Sequence, residues 1–123
     1  MRRVRREHTV PEVTVRRFLH AQGLRFRLHG RGLPGRPDIV LARRRTVVFV
    51  HGCFWHGHSC RHGAVEAKTN AAYWTRKLDD NRARDRRQQR ALRAAGWRVE
   101  VVWECQVKRG SVLRRLALRL LAR

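Results

Sequence analysis

Val47-Val48-Phe49-Val50 is a continuously apolar run that leads directly into His51-Gly52-Cys53-Phe54-Trp55-His56-Gly57-His58-Ser59-Cys60. A run without polar alternation is the mark of a strand buried on both faces. The ten residues after it hold two of the three cysteines, three of the seven histidines and one of the four tryptophans. The fold must therefore cover one strand on both sides and present a ligand-dense loop at its C-terminal end. Thiolates and imidazoles at this density suit zinc. A histidine left over can take protons, and two adjacent aromatics can stack on something flat.

The flanking sequence supplies the cover. Thr9-Val10-Pro11-Glu12 reads as a capping box opening a helix, with Pro11 in the first turn, where a missing amide costs nothing. Val13, Phe18 and Leu19 give that helix an apolar face, and Gly23 ends it. Residues 24–29 alternate Leu, Arg, Phe, Arg, Leu, His, the period of a half-exposed strand. Gly30, Gly32 and Gly35, with Pro34 and Pro37, make the next segment a loop. Asp38 to Ala42 reads as a second strand, Arg43-Arg44-Arg45 as a turn, and Thr46 to Val50 as a third strand. A long helix is predicted from Asn70 to Ala95 with Gly96 as its cap, then a fourth strand from Trp97 to Trp103. Ser111 is predicted to cap a C-terminal helix carrying leucines at 113, 116, 120 and 121. A strand reached through a helical crossover runs parallel to a neighbour. The expected class is α/β, an α/β/α sandwich around a central mixed sheet, in a single domain over 1–123.

Charge narrows the partner. Thirty Lys and Arg oppose nine Asp and Glu, a formal net charge of +21. A GC-rich genome accounts for arginine over lysine but not for the scarcity of acids. Such a domain attracts polyanions, and each phosphate it neutralises releases counterions. Nucleic acid is the expected partner. An anionic membrane surface fits less well, because no basic amphipathic N-terminal helix is evident. No apolar run approaches the roughly 20 residues of a membrane span. Met1 to Arg6 has no apolar core behind it and is not a secretory signal. The odd cysteine count argues against a disulfide framework, so a cytoplasmic location with metal-bound thiolates is expected.

Three constellations carry chemistry. Cys53 and Cys60 in the loop and Cys105 just past the last strand, with one histidine, make a closed four-coordinate zinc set. Spacing alone leaves the histidine open among His51, His56, His58 and His62. The competing reading, cysteines as small buried hydrophobes, is weakened by the polar loop around Cys53 and Cys60. Asp38 opens a strand after a glycine-rich loop, an edge position suited to Mg²⁺ with water and phosphate oxygens. Glu12 can add a carboxylate from the first helix. His51 or His56 can be the general base, and Asp85 can orient it. Asp38 read alone is equally a turn residue, and Asp85 an ion-pairing acid on a basic helix. Phe54, Trp55 and Trp74 suit wedging between base pairs. For Trp55 and Trp74 core packing is an equal alternative, and for Trp97 and Trp103 it is the preferred one.

Taken together, these residues resemble the very short patch repair (Vsr) DNA mismatch endonucleases. The resemblance runs from about Arg2 to Cys105. It rests on Thr9 to Glu12, Leu33 to Asp38, Val48 to His58, Tyr73-Trp74, Asn81, Arg84-Asp85, Gly96-Trp97 and Val101 to Cys105. His-Gly-Cys-Phe-Trp-His paired with Trp-Glu-Cys is its most specific part. It implies a restriction-endonuclease-like fold and a Mg²⁺-dependent nick 5′ to the thymine of a T:G mismatch in double-stranded DNA. It implies Cys53, His58, Cys60 and Cys105 as ligands of a structural zinc. It implies Asp38 and the backbone carbonyl of Val50 as Mg²⁺ contacts. His51 and His56 become the reaction's histidines, with His56 the base and Asp85 its partner, and Glu12 an acid near the centre. Phe54, Trp55 and Trp74 become intercalators. Val50 stands where some members have threonine, and Gly57 and Ser59 where some have histidine. Members often carry a longer N-terminal arm that grips DNA, whereas here the first matched helix lies close to Met1. The resemblance also implies a nucleoid-associated bacterial monomer with mismatch-repair proteins as further partners. Two other readings share most of these features: a restriction-type or broader nicking endonuclease on the same fold, and a zinc-stabilised DNA-binding module without catalysis. RNA binding is disfavoured because no RNA-module signature is present.

Overall fold

The structure, a computed structural model, describes residues 9–53 and 71–122. Helix α1 (Val10–Ala21) is followed by β1 (Arg27–Leu28), β2 (Ile39–Leu41) and β3 (Thr46–His51). Helix α2 (Ala71–Ala94), β4 (Arg98–Trp103), the single-turn α3 (Glu104–Val107) and α4 (Gly110–Leu121) complete the order. The four strands form one mixed sheet in the order β1-β2-β3-β4. β1–β2 and β2–β3 are antiparallel, while β3 and β4 are parallel over their full length, as the helical crossover requires.

Side-chain alternation divides the core between the two faces of the sheet. Ile39, Leu41, Val48 and Val102 pack with Val15 and Leu19 of α1, Val107 of α3, and Leu113, Leu116, Ala117 and Leu120 of α4. Val40, Val47 and Phe49 pack on the other face with Leu92 of α2, flanked by Leu33, Trp97, Val99 and Val101. Helices therefore cover both faces, and β3, with Val47 and Val48 both fully buried, is the central strand its apolar run indicated.

The helix ends follow the sequence signals. The Thr9 hydroxyl accepts the Glu12 N–H at 3.3 Å. Gly23 lies at φ +84°, its N–H bonded to the His20 carbonyl and the Leu24 N–H to that of Leu19. Gly96, at φ +93°, closes α2 through the same paired bonds to Arg93 and Leu92. Two arginines serve further helix ends. Arg44 donates to the Leu120 carbonyl at 2.9 Å and Arg45 to that of Ala95 at 3.0 Å, with its guanidinium 4.4 Å from the Trp97 ring centroid. Part of the arginine excess is thus structural.

Three expectations are corrected. The strand over 24–29 shrinks to Arg27–Leu28: Leu24 is drawn into the core by the α1 cap, and His29 leaves the strand at φ +50°. Glu12 does not complete a capping box, because its carboxylate turns inward to His29. Ser111 is not a cap. Arg109 holds that position and its carbonyl takes the Val112 and Leu113 amides, so Ser111 sits inside the first turn. Of the four leucines named on α4, Leu113, Leu116 and Leu120 are buried and Leu121 is exposed.

Candidate active site

The C-terminal ends of the parallel strands β3 and β4 lie side by side, with His51 opposite Trp103. β2 runs the other way, so its first residues arrive at the same edge. The ladder between β2 and β3 stops at Ile39. Beyond it the Asp38 carboxylate takes the place of a backbone acceptor: Oδ2 accepts the Val50 N–H at 2.6 Å. This bond fixes the half-buried Asp38 side chain against the strand that also carries His51. The ring at the end of β3 is packed between two others. His51 is 5% exposed and lies between Phe49, at 5.4 Å between centroids, and Trp103, edge-on at 5.2 Å.

A second carboxylate reaches this edge from α1. Glu12 is 1% exposed, and its Oε1 meets His29 Nε2. The backbone N–H of His29 in turn donates to the Asp38 carbonyl at 2.9 Å. Glu12, His29, Asp38 and Val50 are thus linked in one chain of contacts, with His51 next to Val50. His29 was not singled out from the sequence. Its only signal was its place at the end of an alternating run, before the glycine-rich loop.

Cys53 and Cys105, 52 positions apart, are brought together. Cys53 is fully buried, and its Sγ accepts the Cys105 N–H at 3.4 Å. The Cys53 N–H donates to Glu104 Oε1 at 3.4 Å, tying the start of the loop to α3. Both cysteines are free thiols. His58 and Cys60 lie outside the described residues, as do His56, Phe54 and Trp55. Among the described residues no three potential ligands converge as a metal cluster. Cys53, buried, and Cys105, half-buried, have the sulfur donor chemistry that zinc takes. At the other site, the anchored, half-buried Asp38 carboxylate has the oxygen chemistry that Mg²⁺ takes.

Helix α2 carries the remaining candidates. Trp74 is half-buried in its first turn, with the exposed Tyr73 ring edge-on at 5.2 Å. Asp85 is half-buried three turns further on. Trp97, one residue before β4, packs with the second cluster, in line with the core role expected for it. No helix among the described residues is long and apolar enough to cross a membrane.

The family model described as DNA mismatch endonuclease Vsr matches residues 1–62, a stretch that includes Glu12, Asp38 and the whole histidine–cysteine loop. The type II nicking enzyme V.XorIIP of Xanthomonas oryzae is 56% identical over 107 residues, covering 87% of this chain and 78% of the relative. The type II nicking enzyme V.NmeAIP of Neisseria meningitidis is 43% identical over 120 residues, 98% of this chain and 85% of the relative. The DNA mismatch endonuclease Vsr of Escherichia coli is 44% identical over 108 residues, 88% of this chain and 69% of the relative. The chain belongs to the Vsr family of DNA mismatch endonucleases.

Proposed function

We propose that this protein is a Mg²⁺-dependent nicking endonuclease that cuts double-stranded DNA 5′ to the thymine of a T:G mismatch. The observation that carries the reading is the Asp38 carboxylate held at 2.6 Å on the Val50 amide, one residue from His51. Asp38 and the Val50 carbonyl are the groups that would hold Mg²⁺, with Glu12 close behind. Bound there, the ion supplies positive charge to the scissile phosphate and to the leaving oxygen.

The chain's own residues do the rest. His56 accepts the proton of the attacking water, and Asp85 orients that imidazole. His51, fixed between Phe49 and Trp103, supports the phosphate. Cys53 and Cys105, with His58 and Cys60, hold a structural zinc that pins the loop. Phe54, Trp55 and Trp74 enter the duplex, where a mismatched step is cheaper to unstack than a paired one. The net charge of +21 supplies the attraction to the phosphate backbone. The printed names of the relatives, one a mismatch endonuclease and two nicking enzymes, support a single-strand cut.

The test is a nicking assay on T:G, on other mismatches and on fully paired duplexes, with Mg²⁺ and with a chelator. The reading requires Mg²⁺-dependent nicking of the T:G strand above all others. Equal cutting of paired DNA makes the protein a broader nickase, and no cutting of any duplex makes it a binding module.

A further inference from the structure

We propose that His29 is a positioning residue of the cleavage centre: it holds the buried Glu12 carboxylate against the Asp38 edge and joins α1 to the strands that carry the reacting groups. The inference rests on the reading of Asp38 as the metal-binding carboxylate.

Three observations support it. First, Glu12 is 1% exposed, and its Oε1 meets His29 Nε2. An ionised carboxylate can only accept, so facing one the ring nitrogen Nε2 takes the donor role. A carboxylate withdrawn from water needs such a donor to stay in place. Second, His29 is at φ +50°, the left-handed region that a residue with a Cβ rarely adopts. The register of β1 on β2 sets position 29 opposite Asp38, and the chain leaves the strand there. Strain of this kind persists only where surrounding contacts impose it, and it gathers at functional sites. Third, the same residue's amide donates to the Asp38 carbonyl at 2.9 Å. One residue thus holds the Glu12 carboxylate through its ring and the Asp38 backbone through its amide.

Leu24, Val15 and Leu19 seat α1 on the sheet. What His29 adds is the direction of the Glu12 side chain. Groups behind metal-binding residues alter metal affinity or activity by about 10- to 100-fold when removed.

The experiment compares His29→Leu, which removes the donor, with His29→Gln, whose amide nitrogen can stand where Nε2 stands. Glu12→Gln, the His29→Leu/Glu12→Gln double variant and Asp38→Asn accompany them. Three quantities are read: the single-turnover cleavage constant on a T:G duplex, the affinity for that duplex without metal, and Mg²⁺ affinity by calorimetry on the DNA-free protein. The expected result for H29L is cleavage slower by about 10- to 100-fold and weaker Mg²⁺ binding, with duplex affinity within a factor of about three. H29Q is expected to recover most of both losses. The double variant is expected to be no slower than E12Q alone, because the two residues act as one unit. The proposal is overturned if H29L cleaves and binds Mg²⁺ as the parent does, if H29Q recovers nothing while H29L stays folded, or if the two substitutions add. If H29L fails to fold, H29Q decides: near-parental cleavage and Mg²⁺ affinity support the proposal, and a loss equal to that of E12Q overturns it. D38N separates the two readings. Should D38N cut at the parental rate, the metal-centre assignment itself fails; should D38N be inactive with H29L unaffected, only the role of His29 fails.

Discussion

The Asp38 carboxylate accepts the Val50 N–H at 2.6 Å and so continues, with a side chain, a ladder whose backbone pairing ends at Ile39. The site begins where regular pairing stops. Removing that acceptor leaves a half-buried amide unsatisfied, so Asp38→Ala should cost about 1–3 kcal/mol of folding stability. Urea denaturation measures this; the midpoint should fall without a change of slope, since the buried surface is the same.

Cys53 and Cys105 meet through an N–H···S contact at 3.4 Å. With zinc as the account has it, the purified protein should carry one zinc per chain by elemental analysis. Cys53→Ala and Cys105→Ala should each lose it. A strong chelator should lower the melting temperature of the parent and leave that of either variant unchanged.

Trp74 stands in the first turn of α2 beside the exposed Tyr73. If its indole stacks on bases at the mismatch, Trp74→Ala should weaken T:G duplex binding by about 1–3 kcal/mol, roughly 5- to 150-fold. Binding to paired DNA should change little. Fluorescence anisotropy on the two duplexes tests this, and equal weakening on both would assign Trp74 to general contact or packing.

Gly35, at φ +74°, lies in the loop that delivers Asp38, and a Cβ added there would come within 2.9 Å of Gln88 Oε1 on α2. Gly35→Ala should therefore destabilise by about 1–2 kcal/mol from the left-handed backbone alone. Because the loop would move off α2, cleavage should fall more than duplex binding does. Thermal melts and single-turnover rates on the same preparation distinguish the two effects.

Regular elements were legible wherever one local signal decided them. The unbroken Val47–Val50 run gave a central strand covered on both faces, and Gly23 and Gly96 marked both helix ends. The parallel pairing of β3 and β4 followed from the length of chain between them. What was not legible depended on contacts distant in sequence. Leu24 was drawn out of the 24–29 alternation by the cap of α1, and Glu12 was taken from its capping role by a histidine 17 residues away. A histidine in an alternating run has no pattern of its own, so the role of His29 is set by its ring contact with Glu12, 17 residues away. Ser111 was a sound cap by residue type, but Arg109 already supplied the carbonyl for the first turn. The meeting of Cys53 with Cys105 was legible, because adjacent parallel strands bring their C-terminal ends together.

The central claim is that Asp38 anchors a metal-dependent cut, and the rate of T:G nicking by Asp38→Ala tests it most directly. At saturating Mg²⁺ and with duplex affinity near the parental value, the account predicts that nicking falls below about one thousandth of the parental rate, a loss of transition-state stabilisation of about 4 kcal/mol. Parental nicking by this variant would contradict it.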